Sequence, residues 1–156
     1  MPPITAILET RNDSLRLGRA METLYACDEI IVVDHGSSDG TIELAREFGA
    51  RIMEPLPGAS PVRYVGIDRG RWIFCLDPRE SLTENLAATL FEWKLEQPAG
   101  PAFSFPVREE TPAGWSALPA QTRLVPADWT NWKGMLPAQD PSSERLQGEI
   151  LRFAFP

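Results

Sequence analysis

Residues 30–41 read Ile30-Ile31-Val32-Val33-Asp34-His35-Gly36-Ser37-Ser38-Asp39-Gly40-Thr41. Four consecutive β-branched residues describe a strand, Glu29 to Asp34, with both faces buried, as the inner strands of parallel sheets are. A polar, glycine-containing turn follows. Asp39 is then placed to cap a helix that runs through Ile42, Leu44, Ala45 and Phe48 and stops where Gly49 can take the left-handed conformation. A buried strand feeding straight into a capped helix is half of a βαβ unit. In open sheets of this kind ligands bind just beyond the carboxyl ends of the strands, so Asp34 is expected at the mouth of a crevice.

Working outward, the same alternation of short apolar runs and amphipathic stretches continues on both sides. Ile4 to Leu8 reads as the first strand. Leu17, Met21, Leu24 and Tyr25 recur at helical spacing and predict a helix over Ser14 to Ala26. Downstream, Arg51-Ile52-Met53 is a short strand, Pro55 to Gly58 a loop, Ser60 to Arg69 a helix, and Trp72 to Leu76 a second central strand ending at Asp77. Ser81 and Glu84 form a capping-box pair ahead of a helix carrying Leu86, Leu90, Phe91 and Leu95.

After Gln97 the composition changes. Nine of the fifteen prolines and three of the five tryptophans lie in the last 59 residues. This is a strand-and-loop region, with strands expected at Phe103 to Val107, Thr122 to Val125 and Glu149 to Phe155. The expected class is α/β with a mainly parallel sheet. One domain of 156 residues is expected, since 43% hydrophobic content supplies a single core. Residues 1–97 are its βαβ part and residues 98–156 its C-terminal part.

Composition also excludes functions. The net charge is −7 and no basic run stands out, which argues against nucleic-acid binding and for small ligands or proteins. The N-terminus lacks a basic leader with an apolar cleavage region, and no run approaches the roughly 20 apolar residues of a membrane span. Cys27 and Cys75 stand alone, without metal-ligand spacing. A cytoplasmic protein without disulfides is expected.

Two clusters carry candidate chemistry. Asp34, at the strand end, can accept hydrogen bonds from a base or a ribose. Asp77-Pro78-Arg79-Glu80 ends the second central strand; carboxylates there suit a divalent cation held against a diphosphate, whereas Arg79 repels a metal and can itself neutralise a diphosphate through bidentate hydrogen bonds. His35, the sole histidine, is an exposed turn residue that can contact a ligand. Trp115, Trp129 and Trp132 read as core residues, with a sugar-stacking platform as the alternative.

Taken together, Thr10-Arg11-Asn12-Asp13, Ile31 to Thr41, Arg63-Tyr64-Val65-Gly66-Ile67 and Trp72 to Glu80 resemble the family-2 inverting glycosyltransferases of GT-A fold. The resemblance covers about the first 95 residues and is closest to the bacterial lipopolysaccharide-core and glycan branch. It implies a Rossmann-like three-layer α/β sandwich with a nucleotide-sugar crevice. It sets Thr10, Asn12 and Asp13 beside the nucleoside, Asp34 at the base, Arg63 near the base or diphosphate, and Asp77 as the first carboxylate of an Asp-Xaa-Asp motif and a metal ligand. The departures are Arg79 in place of the second carboxylate, Glu9 for a common proline and Tyr64 for a frequent asparagine. The Arg-Leu-Phe strand of the family is faintly echoed at Gln121 to Val125. Lys133 to Pro137 stands where the branch carries a His-Glu pair.

The implied activity is transfer of a sugar, with inversion, from a nucleotide-diphosphate sugar to a glycan or lipid-linked acceptor. It would be assisted by manganese or magnesium, or by Arg79 as a built-in cation. The general base an inverting transfer needs has no motif here, and the downstream acids are Glu109, Glu110, Asp128 and Asp140. The competing reading is a catalytically inactive binding or assembly module on the same fold, and a nucleotidyltransferase is a third.

Overall fold

The computed structural model describes residues 2–66 and 70–156. β1 (Ile4–Thr10), β2 (Glu29–Asp34), β3 (Arg51–Met53) and β4 (Trp72–Cys75) are the parallel strands read from the apolar runs. β1 lies between β2, with Thr10 opposite Asp34, and β4, with Ile7 opposite Cys75. The chain therefore moves outward from β1 through β2 to β3 and then returns to the other side of β1. That reversal opens a crevice at the carboxyl ends of β1 and β4, where ligands bind in sheets of this type.

The sheet continues with strands from the second half of the chain. β5 (Glu80–Leu82), β6 (Phe103–Thr111), β7 (Gly114–Pro126), β10 (Glu144–Arg145) and β11 (Ile150–Arg152) bring it to nine strands among the described residues, ordered β3-β2-β1-β4-β7-β6-β11-β5 with β10 beside β6. β7 runs antiparallel to β4 and carries the sheet past its parallel half. β8 (Trp132–Lys133) and β9 (Leu136–Pro137) form a separate two-stranded ribbon.

Side-chain alternation sends the two faces of each strand to different clusters. Ile4, Ala6 and Leu8 of β1 face α1 (Leu17–Met21), α2 (Thr41–Glu47) and α4 (Glu84–Glu96), which contribute Leu17, Ala45, Leu86 and Leu90. Trp72, Trp93 and Phe103 meet in this layer with ring centroids 4.9–5.8 Å apart. On the other face Ile7, Val33, Ile73 and Val125 pack under Tyr64 of α3 (Val62–Val65) and under Trp129, Trp132 and Leu136. That outer layer is one helical turn plus the β8–β9 ribbon.

Several local expectations are corrected. The helix over Ser14 to Ala26 shrinks to α1, because its end turns back on itself: the Leu24 and Cys27 amides donate to Met21 and Leu24 carbonyls. Tyr25 is exposed. The helix over Ser60 to Arg69 is one turn, ended by Gly66 at φ +86°, and its last three residues lie outside the described residues. Ser81 is no cap; it sits inside β5 and its hydroxyl donates to the Arg19 carbonyl. Thr83 caps α4 instead, accepting from the Leu86 amide at 3.2 Å. Trp93, not Phe91 or Leu95, completes the buried face of that helix, and the latter two are exposed.

Among the described residues no helix is long and apolar enough to cross a membrane. Both cysteines are free. Burial pushes the Cys75 thiol up to about 12. In a Cys27→Ser variant, Cys75 is therefore expected to resist a disulfide reagent until the protein unfolds; fast labelling of the folded protein would show that β4 opens locally.

Candidate functional site

The crevice at the ends of β1 and β4 is a cleft of about 520 Å3. Glu9, Thr10, Arg11, Asp13 and Arg16 line it from the β1 side, His35 from the β2 turn, and Asp77, Pro78 and Arg79 from the β4 side. Three guanidiniums and three carboxylates thus face one opening.

The β2 turn is built by hydrogen bonds among the residues singled out in the sequence. Asp34, buried at the strand end, accepts from the Thr10 hydroxyl at 2.8 Å, the Ser37 amide at 2.8 Å and the Ser37 hydroxyl at 2.5 Å. Burial by itself raises its pKa, but these donors outweigh it and hold the carboxyl below its usual range. Asn12, at φ +53°, accepts from the Ser38 amide at 2.8 Å and donates its own amide to the Ser37 hydroxyl at 2.9 Å. Asp39 accepts from the Thr41 amide at 3.0 Å and from the Thr41 hydroxyl, which lowers its carboxyl to about 2. Asp13 accepts from the Arg11 amide at 2.8 Å, and its Oδ1 lies 3.7 Å from Arg16.

Asp34 also opens onto a neighbouring cavity of about 540 Å3, lined in addition by Gly36, Arg46, Ile52 and Met53. The Thr10–Asp34 hydrogen bond joins the walls of the two spaces. Of the remaining residues expected at the site, Arg63 is exposed on α3 and is not among those lining the cleft. Trp129 and Trp132 bond to one another's loop and pack on the core, while Trp115 stacks edge-on against Phe153 at 5.3 Å. The three tryptophans therefore form no common platform.

On the β4 side, Asp77 and Arg79 close on each other. Asp77 Oδ1 accepts from the Arg79 amide and from Nε, both at 2.9 Å, and Oδ2 accepts from Nη2 at 3.3 Å. The hydrogen bond and the charge of Asp77 raise the Arg79 pKa further. With both Asp77 oxygens committed to a guanidinium, this donor set does not fit a divalent cation. Among the described residues no group of three or more His, Cys, Asp or Glu side chains is placed to hold one.

Beneath this turn lies an ion cluster that sequence reading missed. Glu80 is fully buried and accepts bidentately from Arg123, at 2.7 and 2.8 Å, and from Arg152 Nη2 at 2.8 Å. Its Oε1 also accepts from the Asp77 amide at 2.9 Å, which ties the turn to the cluster. Burial raises the Glu80 pKa, yet Arg123 overrides that and the net displacement is downward. Arg123 further donates to the Cys75 carbonyl at 3.1 Å and to Gln121. A lone arginine inside the apolar run Thr122 to Val125 was the available signal.

No family model matches the chain. The lipopolysaccharide core biosynthesis glycosyltransferase LpsC of Rhizobium meliloti is 32% identical over 98 residues, covering 58% of this chain and 36% of that protein. An uncharacterized glycosyltransferase of Rickettsia felis is 34% identical over 95 residues, 55% of this chain and 32% of the other. A TPR repeat-containing protein of Synechococcus elongatus is 32% identical over 129 residues, 80% of this chain and 32% of its own. The chain spans about a third of the length of the curated relatives it matches.

Among solved structures, TarS residues 1–349 of S. aureus in complex with UDP is similar at TM-score 0.54 and 13% identity, over 72% of this chain and 37% of that one. Glucosyl-3-phosphoglycerate synthase from Mycobacterium tuberculosis, in complex with Mn2+, UDP and glucosyl-3-phosphoglycerate, is similar at 0.51 and 18%, over 69% and 44%. The α/β fold is thus of the GT-A type that the strand and turn motifs implied, and the chain is glycosyltransferase-like.

Proposed function

We propose that the chain binds a nucleoside-diphosphate sugar at the carboxyl ends of β1, β2 and β4 and transfers the sugar, with inversion, to a glycan or lipid-linked acceptor. The observation that carries this reading is the cleft at the strand-order reversal, walled by Arg11, Arg16 and Arg79 and adjoining the cavity beside Asp34. The nucleoside occupies the Asp34 cavity, where an ionised carboxylate meets the apolar Ile52 and Met53. The diphosphate faces Arg79, which exchanges Asp77 for phosphate oxygens and supplies positive charge there; the mycobacterial synthase complex holds Mn2+ together with UDP. Asp77 is then freed toward the ribose or sugar hydroxyls.

Titration calorimetry with UDP, GDP and their sugar conjugates tests this. Losing a charge-assisted hydrogen bond of about 1.5–3 kcal/mol, Arg79→Ala should weaken binding roughly 10- to 100-fold, and chelator should leave the unsubstituted chain unaffected. Unchanged affinity in Arg79→Ala, or binding abolished by chelator, would remove the built-in cation. A chain that binds none of these compounds favours the second reading, an inactive binding or assembly module, which the closed Asp77–Arg79 pair also supports.

A further inference from the structure

Past Glu9 and Asp77 the cleft continues into a smaller pocket of about 250 Å3. Its floor is apolar, with Ile7, Leu76 and Leu136, and Lys133 of the β8–β9 ribbon closes one side. Glu9 belongs to both spaces, because β1 alternation points it to the same face as Ile7.

The carboxylates at this junction are not equivalent. Asp77 has both oxygens bound by Arg79, and Asp13 is engaged by the Arg11 amide and by Arg16. Among the described residues the Glu9 carboxylate accepts no hydrogen bond; its Oε1 lies 3.5 Å from His35 Nε2, and its side chain is 44% exposed. Among the described residues lining the two cavities it is the carboxylate held by no hydrogen bond and no guanidinium, and its His35 contact is an ion pair only when the imidazole is protonated. The acids considered downstream are spent elsewhere: Glu109 on Arg152 at 3.4 Å, Glu110 on the Ala154 amide at 3.1 Å and Asp140 on the Ser142 amide at 2.9 Å. Neither these three nor Asp128 lines either cavity.

We propose that this side pocket is the acceptor subsite and that Glu9 is the general base serving it. The proposal rests on the nucleotide-sugar reading above. A hydroxyl-bearing acceptor lays its apolar side on Ile7, Leu76 and Leu136 and turns its reacting hydroxyl to Glu9. The carboxylate takes the hydroxyl proton as the oxygen bonds to the anomeric carbon. The bond from that carbon to the diphosphate oxygen breaks, and its electron pair leaves with the nucleoside diphosphate, whose added charge faces Arg79. Glu9 stands where the resemblance leads one to expect proline, so the base lies on β1 and not in the C-terminal part.

The test uses water as the acceptor, because a base in this position activates it too. UDP or GDP release from a panel of their sugar conjugates is followed for the unsubstituted chain and for Glu9→Gln, with UDP and GDP affinity measured in parallel. Glu9→Gln is isosteric and partly exposed, and its retained nucleotide affinity reports that it is folded. The expected result is affinity within threefold and release slowed about 100-fold. Release slowed less than tenfold, nucleotide affinity that falls more than tenfold, or nucleotide binding without release from any donor in the unsubstituted chain would each overturn the proposal. Failure of the unsubstituted chain to bind any nucleotide would instead overturn the nucleotide-sugar reading, and the acceptor subsite with it.

Discussion

Arg123→Met is expected to cost about 3–5 kcal/mol of stability, because it takes the bidentate partner from a fully buried carboxylate and leaves only the partly exposed Arg152 guanidinium on it. Glu80 and Arg123 are 0% and 1% exposed, and Arg152, the second guanidinium on Glu80, is 21% exposed. Replacing both Glu80 and Arg123 by methionine should cost less than Arg123→Met alone, since no unpaired charge remains buried. Denaturant unfolding of the single and double variants checks this; an Arg123→Met cost near zero would mean that Arg152 alone satisfies Glu80. The pH dependence follows from the direction of the Glu80 displacement. Its native pKa lies below the unfolded one, so its contribution is complete above the ordinary carboxylate range, near about 4.3, and is lost as pH falls through the native value. Glu80→Gln should therefore flatten the acid limb of the stability curve.

Gly148→Ala should be comparably damaging for a steric reason. Gly148 is buried at φ +96°, and a Cβ there would stand 2.3 Å from Leu86 Cα and 2.5 Å from the Leu86 backbone nitrogen, in the first turn of α4. Helix backbone cannot yield as a side-chain tip can. The same approach lets Thr83 accept from the Glu149 amide at 3.2 Å while it caps the helix. Overpacking and a left-handed alanine together cost about 3 kcal/mol or more, or roughly 6–12 °C in Tm. A circular-dichroism melt within about 2 °C of the unsubstituted protein would show that the Gly148 segment shifts away from α4 without penalty.

Where structure is written locally, the sequence was readable. β2 has the bounds expected, because a β-branched run is closed by Asp34 and a polar turn. α2 ends as expected, with Gly49 at φ +80°. The residues at the β1 and β2 ends were also legible, and they meet through Thr10, Asn12 and Asp34. What failed depends on partners far away in the chain. β5 is a strand only because β11 arrives to pair Ser81 with Leu151, and no local pattern announces a three-residue strand next to a helix start. Likewise Glu80 read as one of the strand-end carboxylates suited to a divalent cation, since its arginines lie 43 and 72 positions on. The side pocket was invisible because the β8–β9 ribbon reaches Ile7 and Leu76 only in three dimensions.

The insertion of β7 beside β4, and of β11 between β6 and β5, also dictates an order of events during synthesis. The βαβ half leaves the ribosome with one edge of β4 unpaired and the Glu80 carboxylate uncompensated. Pairing on that edge begins once β7 emerges, and the charge cluster is complete only after Arg152 has followed. Until then the nascent chain carries an apolar strand edge open to foreign strands. Holdase chaperones should therefore associate with stalled chains that end before β7 and release those extended beyond β11.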